Sequence, residues 1–221
     1  MDAWRQRGYG LRFDWGLAGA ISVADQVDVA VVVDVLSFTT TLSVALDGGA
    51  SVIPSRWRDV RSATLAREHD AVLAVGRSQA GPGDVSLSPT TLRCGPVPAR
   101  IVLPSPNGAT IAEHVGTTAT LCLGAGLRNA PAVASWLAAR HDPVRSTVVV
   151  VAAGEQWPGG ALRPAVADLW GAGALIDHLA RAGWSTPSPE AATARAAWLP
   201  AADDVLGNLG PTTGSLPTVP G

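Results

Sequence analysis

The chain has 221 residues, a formal net charge of −2, 47% hydrophobic residues and only 15% charged ones. That is long enough to bury a real core, and the composition suits an α/β enzyme with a covered sheet better than a surface-rich binding module. All 16 basic residues are arginines scattered along the chain, which argues against a nucleic-acid footprint, and no apolar run approaches the ~20 residues of a membrane helix.

The N-terminal MDAWRQRGYG lacks the apolar core of a signal peptide. The first clear element is a valine-rich strand over 29–35, followed by a helix over 38–46 that Gly48-Gly49 ends. A short strand is expected at 51–54, a helix at 59–69 and a strand at 71–75. A long Gly/Pro-rich loop, GRSQAGPGDVSLSPTTLRCGPVP, follows, and loops of that length in compact domains are usually functional or mobile. The spacing then predicts a strand at 100–103 and a short helix ending near 115. A strand at 119–123 and a helix ending near 140 come next, then a second valine-rich strand at 147–153 and a helix over 163–181. One more helix fits STPSPEAATARAAW.

Continuous rather than alternating valine runs indicate strands covered on both faces. The predicted fold is therefore a three-layer α/β sandwich with a largely parallel or mixed central sheet. Residues 1–200 read as a single α/β domain, or as two similar subdomains, and 201–221 as an irregular tail rich in Pro, Gly and Thr. Cys94 and Cys122, without a CxxC pair or paired histidines, give no zinc spacing; Cys122 reads as core, and a reducing cytoplasm is the expected setting. Eight tryptophans on an apolar chain leave a homo-oligomer open.

In open α/β sheets ligands bind beyond the carboxyl ends of the strands. Four such ends here are polar or glycine-rich: 34–41, 104–110, 124–129 and 154–168. Asp34 ends a buried strand, where an ionised carboxylate needs a partner, and Mg²⁺ is a natural one. Ser37, Thr39 and Thr40 open the next helix, where amides, helix dipole and hydroxyls favour a phosphate. The alternative is a strand-end acid with a Ser/Thr N-cap and no ligand. In SPNGAT, Asn107-Gly108 turns tightly and Thr110 either caps the helix or meets an oxyanion; a plain strand-to-helix turn is equally compatible. Arg128 in GAGLRN could cradle phosphate or sulfonate, and Arg77 could grip an anion bidentately or form a surface ion pair. Glu155 follows a buried strand. Pro164 suits a first helical turn, placing Asp168 one turn inside the next helix, as a second metal ligand or an ordinary exposed acid.

Together these blocks resemble the 2-phosphosulfolactate phosphatases over roughly residues 25–185. The blocks are VVVDVLSFTTTLSVALDGGASVIP, AVGRSQAGPGDVSLSP, LPSPNGATIA, LCLGAGLRNAPAVASWL and AGEQWPGGALRPAVADLWGAGALI, in family order. The resemblance implies a three-layer α/β enzyme, a Mg²⁺-dependent phosphoric monoester hydrolase acting on a small anionic phosphorylated substrate. In organisms making coenzyme M, that substrate is (2R)-2-phospho-3-sulfolactate and the product 3-sulfolactate. Carried over residue by residue, it implies Asp34 and Asp168 as metal-site acids, and Thr39, Thr40, Asn107 and Gly108 as phosphate or substrate contacts. With Mg²⁺ held by Asp34 and Asp168, Glu155 would supply outer hydrogen bonding to the catalytic group.

Three positions depart from the family pattern. Val75-Gly76-Arg77 stands where Gly-Glu-Arg is frequent, Ala167-Asp168 where Glu-Asp is common, and LPAADDVLGNLGPTTGSLPTVPG replaces a block containing Ser-Gly-Arg-Glu-Leu. Cation affinity depends on ligand charge, so a catalytically altered member that binds a small anionic ligand is the alternative expectation.

Overall fold

The structure, a computed structural model, describes residues 2–205. Its strands form two separate parallel sheets and a small antiparallel hairpin. The larger sheet has the order β1 (Leu11–Trp15), β7 (Val148–Ala152), β2 (Val29–Val33), β6 (Leu121–Ala125). The smaller has the order β3 (Ser51–Ser55), β5 (Arg100–Pro104), β4 (Val72–Leu73). The hairpin joins β8 (Glu155–Gln156) to β9 (Leu162–Arg163).

The two valine-rich segments, β2 and β7, are the inner strands of the larger sheet, and every residue of both is buried. Because side chains alternate across a strand, each segment supplies two cores. Val29, Val31, Val33, Val148 and Val150 face helices α6 (Ala130–Ala138), α7 (Val166–Arg181) and α8 (Pro189–Trp198) through Leu137, Leu175, Ile176 and Ala191. Ala30, Val32, Val149 and Val151 face α1 (Gly16–Val23) and α5 (Gly108–Thr118) through Val23, Ile111 and Val115. This is the three-layer α/β sandwich. The smaller sheet packs Ile101 and Leu103 against Phe38, Val44 and Ala45 of α2 (Phe38–Asp47) and Leu92 of α4 (Pro89–Arg93). Helix α3 (Val60–Glu68) lies against β4 and β5, while α5 touches strands of both sheets and fixes one to the other.

Several boundaries move for identifiable reasons. Strand β4 is short because the chain leaves β5 after the Ala74 amide, which donates to the Val102 carbonyl at 2.9 Å; Val75 instead exchanges backbone hydrogen bonds with Val85 and Leu87. The expected 163–181 helix begins only at Val166, since Leu162–Arg163 pairs with Glu155–Gln156. Pro164 therefore precedes the helix, and Asp168 lies in its first turn rather than one turn inside. Strand β1 and helix α1 are additions to the expected order. Leu199–Asp204 form a 3₁₀ turn, and the rest of the expected tail lies outside the described residues. Of the tryptophans, Trp184 is buried, whereas Trp157 is exposed beneath the Arg163 guanidinium. Cys122 is partly buried, and burial pushes its thiol up to about 11. No described helix is long and apolar enough to cross a membrane.

Candidate active site

Strands β2, β5 and β7 all deliver their carboxyl ends to one cleft of about 500 Å³ between the two sheets. Three helix N-termini open on it: α2 with Ser37 and Phe38, α5 with Asn107, and α7 with Ala165 to Ala167. Each presents amide groups and the positive end of a helix dipole, an arrangement suited to an anion.

Asp34 and Asp168 both line this cleft and both are buried, 8% and 3% exposed. Neutral donors hold them. The Asp34 Oδ2 accepts from Ser105 Oγ at 3.0 Å and from the Gly108 amide at 3.2 Å, and its Oδ1 accepts from the Phe38 amide at 3.4 Å. The Asp168 Oδ1 accepts from the Val35 amide at 2.7 Å, and its Oδ2 from the Gly154 amide at 2.9 Å. Burial raises both carboxyls above the usual range. For Asp168 burial leads, the Asp34 charge adds to it, and the group is pushed up to about 8. Two buried acids acting on each other resist simultaneous ionisation.

The donor set fits a hard divalent cation. Mg²⁺ is commonly held by one or two carboxylates with substrate oxygens and waters completing the octahedron. Asp34 Oδ1 and both Asp168 oxygens each accept a single hydrogen bond and keep a lone pair, whereas Asp34 Oδ2 already accepts two. Among the described residues no cluster of three or more His, Cys, Asp and Glu side chains forms a ligand set. Asp34 and Asp168 are the two buried carboxylates on the cleft wall that could hold such an ion. Glu155 lines the same cleft, but its Oε2 accepts from Arg163 Nη1 at 2.7 Å.

The remaining sequence candidates divide. Ser37, Arg77 and Asn107 line the cleft, and Asn107 Nδ2 donates to the Gly154 carbonyl at 3.0 Å, tying the β5 and β7 termini together. Gly108 has a steric role: a Cβ there would sit 2.5 Å from Phe38 Cδ1 and 2.6 Å from Asp34 Oδ2. Four residues are placed elsewhere than expected. Thr39 is fully buried, its Oγ1 donating to the Asp34 carbonyl at 2.8 Å and accepting from the Asp34 amide at 3.1 Å, so it shapes the turn instead of facing a ligand. Thr40 Oγ1 bonds the Val35 carbonyl at 2.8 Å in the same way. Thr110 Oγ1 bonds the Pro106 carbonyl at 2.6 Å and borders a neighbouring recess. Arg128 pairs with Asp47 and Ser43 on α2, and the turn that carries it is closed by the Gly126 amide donating to Asn129 Oδ1 at 2.8 Å.

Two kinds of residue escaped the sequence reading. Ser105 bridges Asp34 and Gly108, accepting from the Gly108 amide at 3.0 Å; its place directly after a buried strand and before Pro-Asn-Gly was the available signal. Arg58 and Arg163 also line the cleft, and nothing in their local sequence distinguishes them from surface arginines.

A sequence profile of the family described as 2-phosphosulpholactate phosphatase matches residues 19–212. The protein named "Probable 2-phosphosulfolactate phosphatase" from Thermus thermophilus is 31% identical over 173 residues, covering 76% of this chain and 69% of that relative. The match runs through every segment that builds the cleft, and the chain belongs to the 2-phosphosulpholactate phosphatase family, a family of phosphoric monoester hydrolases.

Proposed function

We propose that the protein is a Mg²⁺-dependent phosphatase that releases phosphate from a small anionic phospho-acid such as (2R)-2-phospho-3-sulfolactate, giving 3-sulfolactate. The observation that carries this reading is the pair of buried carboxylates, Asp34 and Asp168, on the wall of a cleft where three helix N-termini open. Among the described residues neither acid forms an ion pair with a basic side chain. Buried charge is costly without an opposite charge, and a divalent ion together with a phosphate satisfies acids and amides at once. When bound, Mg²⁺ supplies Lewis-acid polarisation of the phosphoryl oxygens. Asp34 and Asp168 orient that assembly, the helix amides stabilise charge on the phosphate oxygens, Arg77 grips the substrate, and Glu155 orders the hydrogen bonds around the site. The test is phosphate release from 2-phospho-3-sulfolactate with Mg²⁺ and with EDTA, using wild type, Asp34→Asn and Asp168→Asn. Full activity in EDTA, or in either variant, removes that part of the mechanism.

A second reading is a catalytically altered member that binds a small anion without turning it over. Gly76 and Ala167, the positions lacking the family's usual acids, both line the cleft, so the lost carboxylates would have faced the site. This version predicts calorimetric binding of inorganic phosphate without hydrolysis, and robust Mg²⁺-dependent turnover ends it.

A further inference from the structure

The segment Ser55-Arg56-Trp57-Arg58-Asp59-Val60-Arg61 connects the end of β3 to α3. Its other charges are spoken for. The guanidinium groups of Arg56 and Arg61 lie over the Trp57 ring at 4.8 and 4.9 Å. Arg56 also pairs with Glu113 at 3.4 Å. Arg61 reaches both oxygens of Asp59, Nε to Oδ1 at 3.0 Å and Nη2 to Oδ2 at 2.6 Å, while Asp59 caps α3 through the Arg61 amide at 2.9 Å. That frame fixes the loop and leaves Asp59 committed. Arg58 has no ion pair or side-chain hydrogen bond among the described residues.

Arg58 lines the cleft that holds Asp34 and Asp168, and its positive charge acts on Asp34. It also lines a second recess of about 370 Å³, which shares Gly76, Ser78, Leu87 and Pro104 with the cleft. A Cβ on Gly76 would meet the Gln79 side chain, with Oε1 at 3.1 Å. An uncommitted guanidinium lining both the main cleft and a side recess is suited to a carboxylate or sulfonate, which it can meet in a bidentate fork.

We infer that Arg58 is a specificity residue: it binds the second, non-transferred anionic group of the substrate, a carboxylate or a sulfonate, at the mouth of the side recess. The inference rests on the phosphatase reading, because the reacting phosphate fixes the other end of the substrate. The accepted class is a phosphomonoester of a small acid, and phosphomonoesters with neutral tails are poor substrates.

The experiment compares wild type, Arg58→Met and Arg58→Lys on three probes: 2-phospholactate (second anion a carboxylate), 2-sulfoethyl phosphate (a sulfonate) and ethyl phosphate (none). Arg58→Met should raise KM for at least one dianionic probe about ten- to hundred-fold, the range of a charge-assisted contact. Its kcat should change much less, Arg58→Lys should recover part of the loss, and the loss on ethyl phosphate should be at least about five-fold smaller. The more affected probe identifies the anion. Equal losses on all three, or no loss, overturn the assignment. If wild type hydrolyses neither these probes nor 2-phospho-3-sulfolactate, the phosphatase reading fails, and calorimetry decides on Arg58 alone. Binding of a dianionic probe about ten-fold tighter to wild type than to Arg58→Met sustains its role, whereas equal or absent binding overturns it. Arg58 is exposed, so Arg58→Lys should melt with the wild type.

Discussion

Asp168 fastens its carboxylate to the amide of Val35, the residue next to Asp34, at 2.7 Å, across 133 residues of sequence. The second Asp168 oxygen takes the amide of Gly154 at 2.9 Å, so one side chain joins the ends of β2 and β7 to the first turn of α7. The site acid is thus also a structural clasp, and changes to it are read in stability as well as activity.

Asp168→Asn leaves one of those two amides facing an NH₂ group instead of an acceptor. A buried donor without a partner costs about 1–3 kcal/mol. We expect Asp168→Asn to lower the urea-unfolding free energy at pH 8 by no more than this, and by more at pH 5, for the reason that follows.

Burial and the Asp34 charge raise the folded Asp168 carboxyl from the ordinary 3.8 to about 8. The folded state therefore binds this proton more tightly than the unfolded chain. Its stabilisation is fully present below about pH 4 and is lost as pH rises toward 8, at up to about 1.4 kcal/mol per pH unit. In EDTA, wild type should lose stability from pH 5 to pH 8, and Asp168→Asn should show a flatter profile. Added Mg²⁺ should raise the melting temperature of wild type more at pH 8 than at pH 5, because it binds the ionised pair. An identical Mg²⁺ shift in Asp34→Asn would remove Asp34 as its ligand.

Gly108→Ala places a methyl within 2.6 Å of Phe38 Cδ1 and Asp34 Oδ2, and neither neighbour can retreat far because both are buried. Overpacking of this kind costs about 1–3 kcal/mol. We expect that loss by denaturant titration, with a fall in kcat from displacement of the Asp34 carboxylate. Wild-type activity in this variant would show that the close approach of α5 to Asp34 is unimportant.

Thr39→Val removes both Oγ1 contacts to the Asp34 backbone, at 2.8 and 3.1 Å. The orphaned Asp34 amide costs about 1–3 kcal/mol, and the carboxylate loses its fixed aim. The expected result is reduced stability and kcat with little change in KM, since Thr39 is buried away from the cleft. A selective rise in KM would return Thr39 to the phosphate contacts.

Arg128→Ala provides the contrast. Its ion pair with Asp47 is exposed and neither residue lines the cleft, so stability should change by less than about 1 kcal/mol and kcat/KM should hold. A large rise in KM would contradict the geometry.

Much of this arrangement was legible in the sequence. The valine runs identified the inner strands because a strand with both faces covered has no polar face to alternate with. Asp34, Asn107 and Asp168 stood out because each sits where a buried strand or its following loop meets a helix start. Strand β1 was not legible: LRFDW carries two charges. Arg12 is nonetheless buried, satisfied by the carbonyls of Tyr9 at 3.0 Å and Val23 at 3.2 Å, partners no local pattern announces.

Local chemistry along the chain determined the inner strands and most of the helices, and which strand ends carry acids, hydroxyls and glycines. Tertiary structure alone decided the division into two sheets and which of those polar groups share a cleft. Hydrophobic periodicity reports only that a face is buried, whereas a hydroxyl's role depends on which acceptor lies within hydrogen-bonding reach, about 3 Å. Thr39 and Thr40 turn back onto their own loop, Ser105 reaches Asp34, Arg128 leans onto Asp47, and Arg58 is left to the cleft because Asp59 is already taken by Arg61.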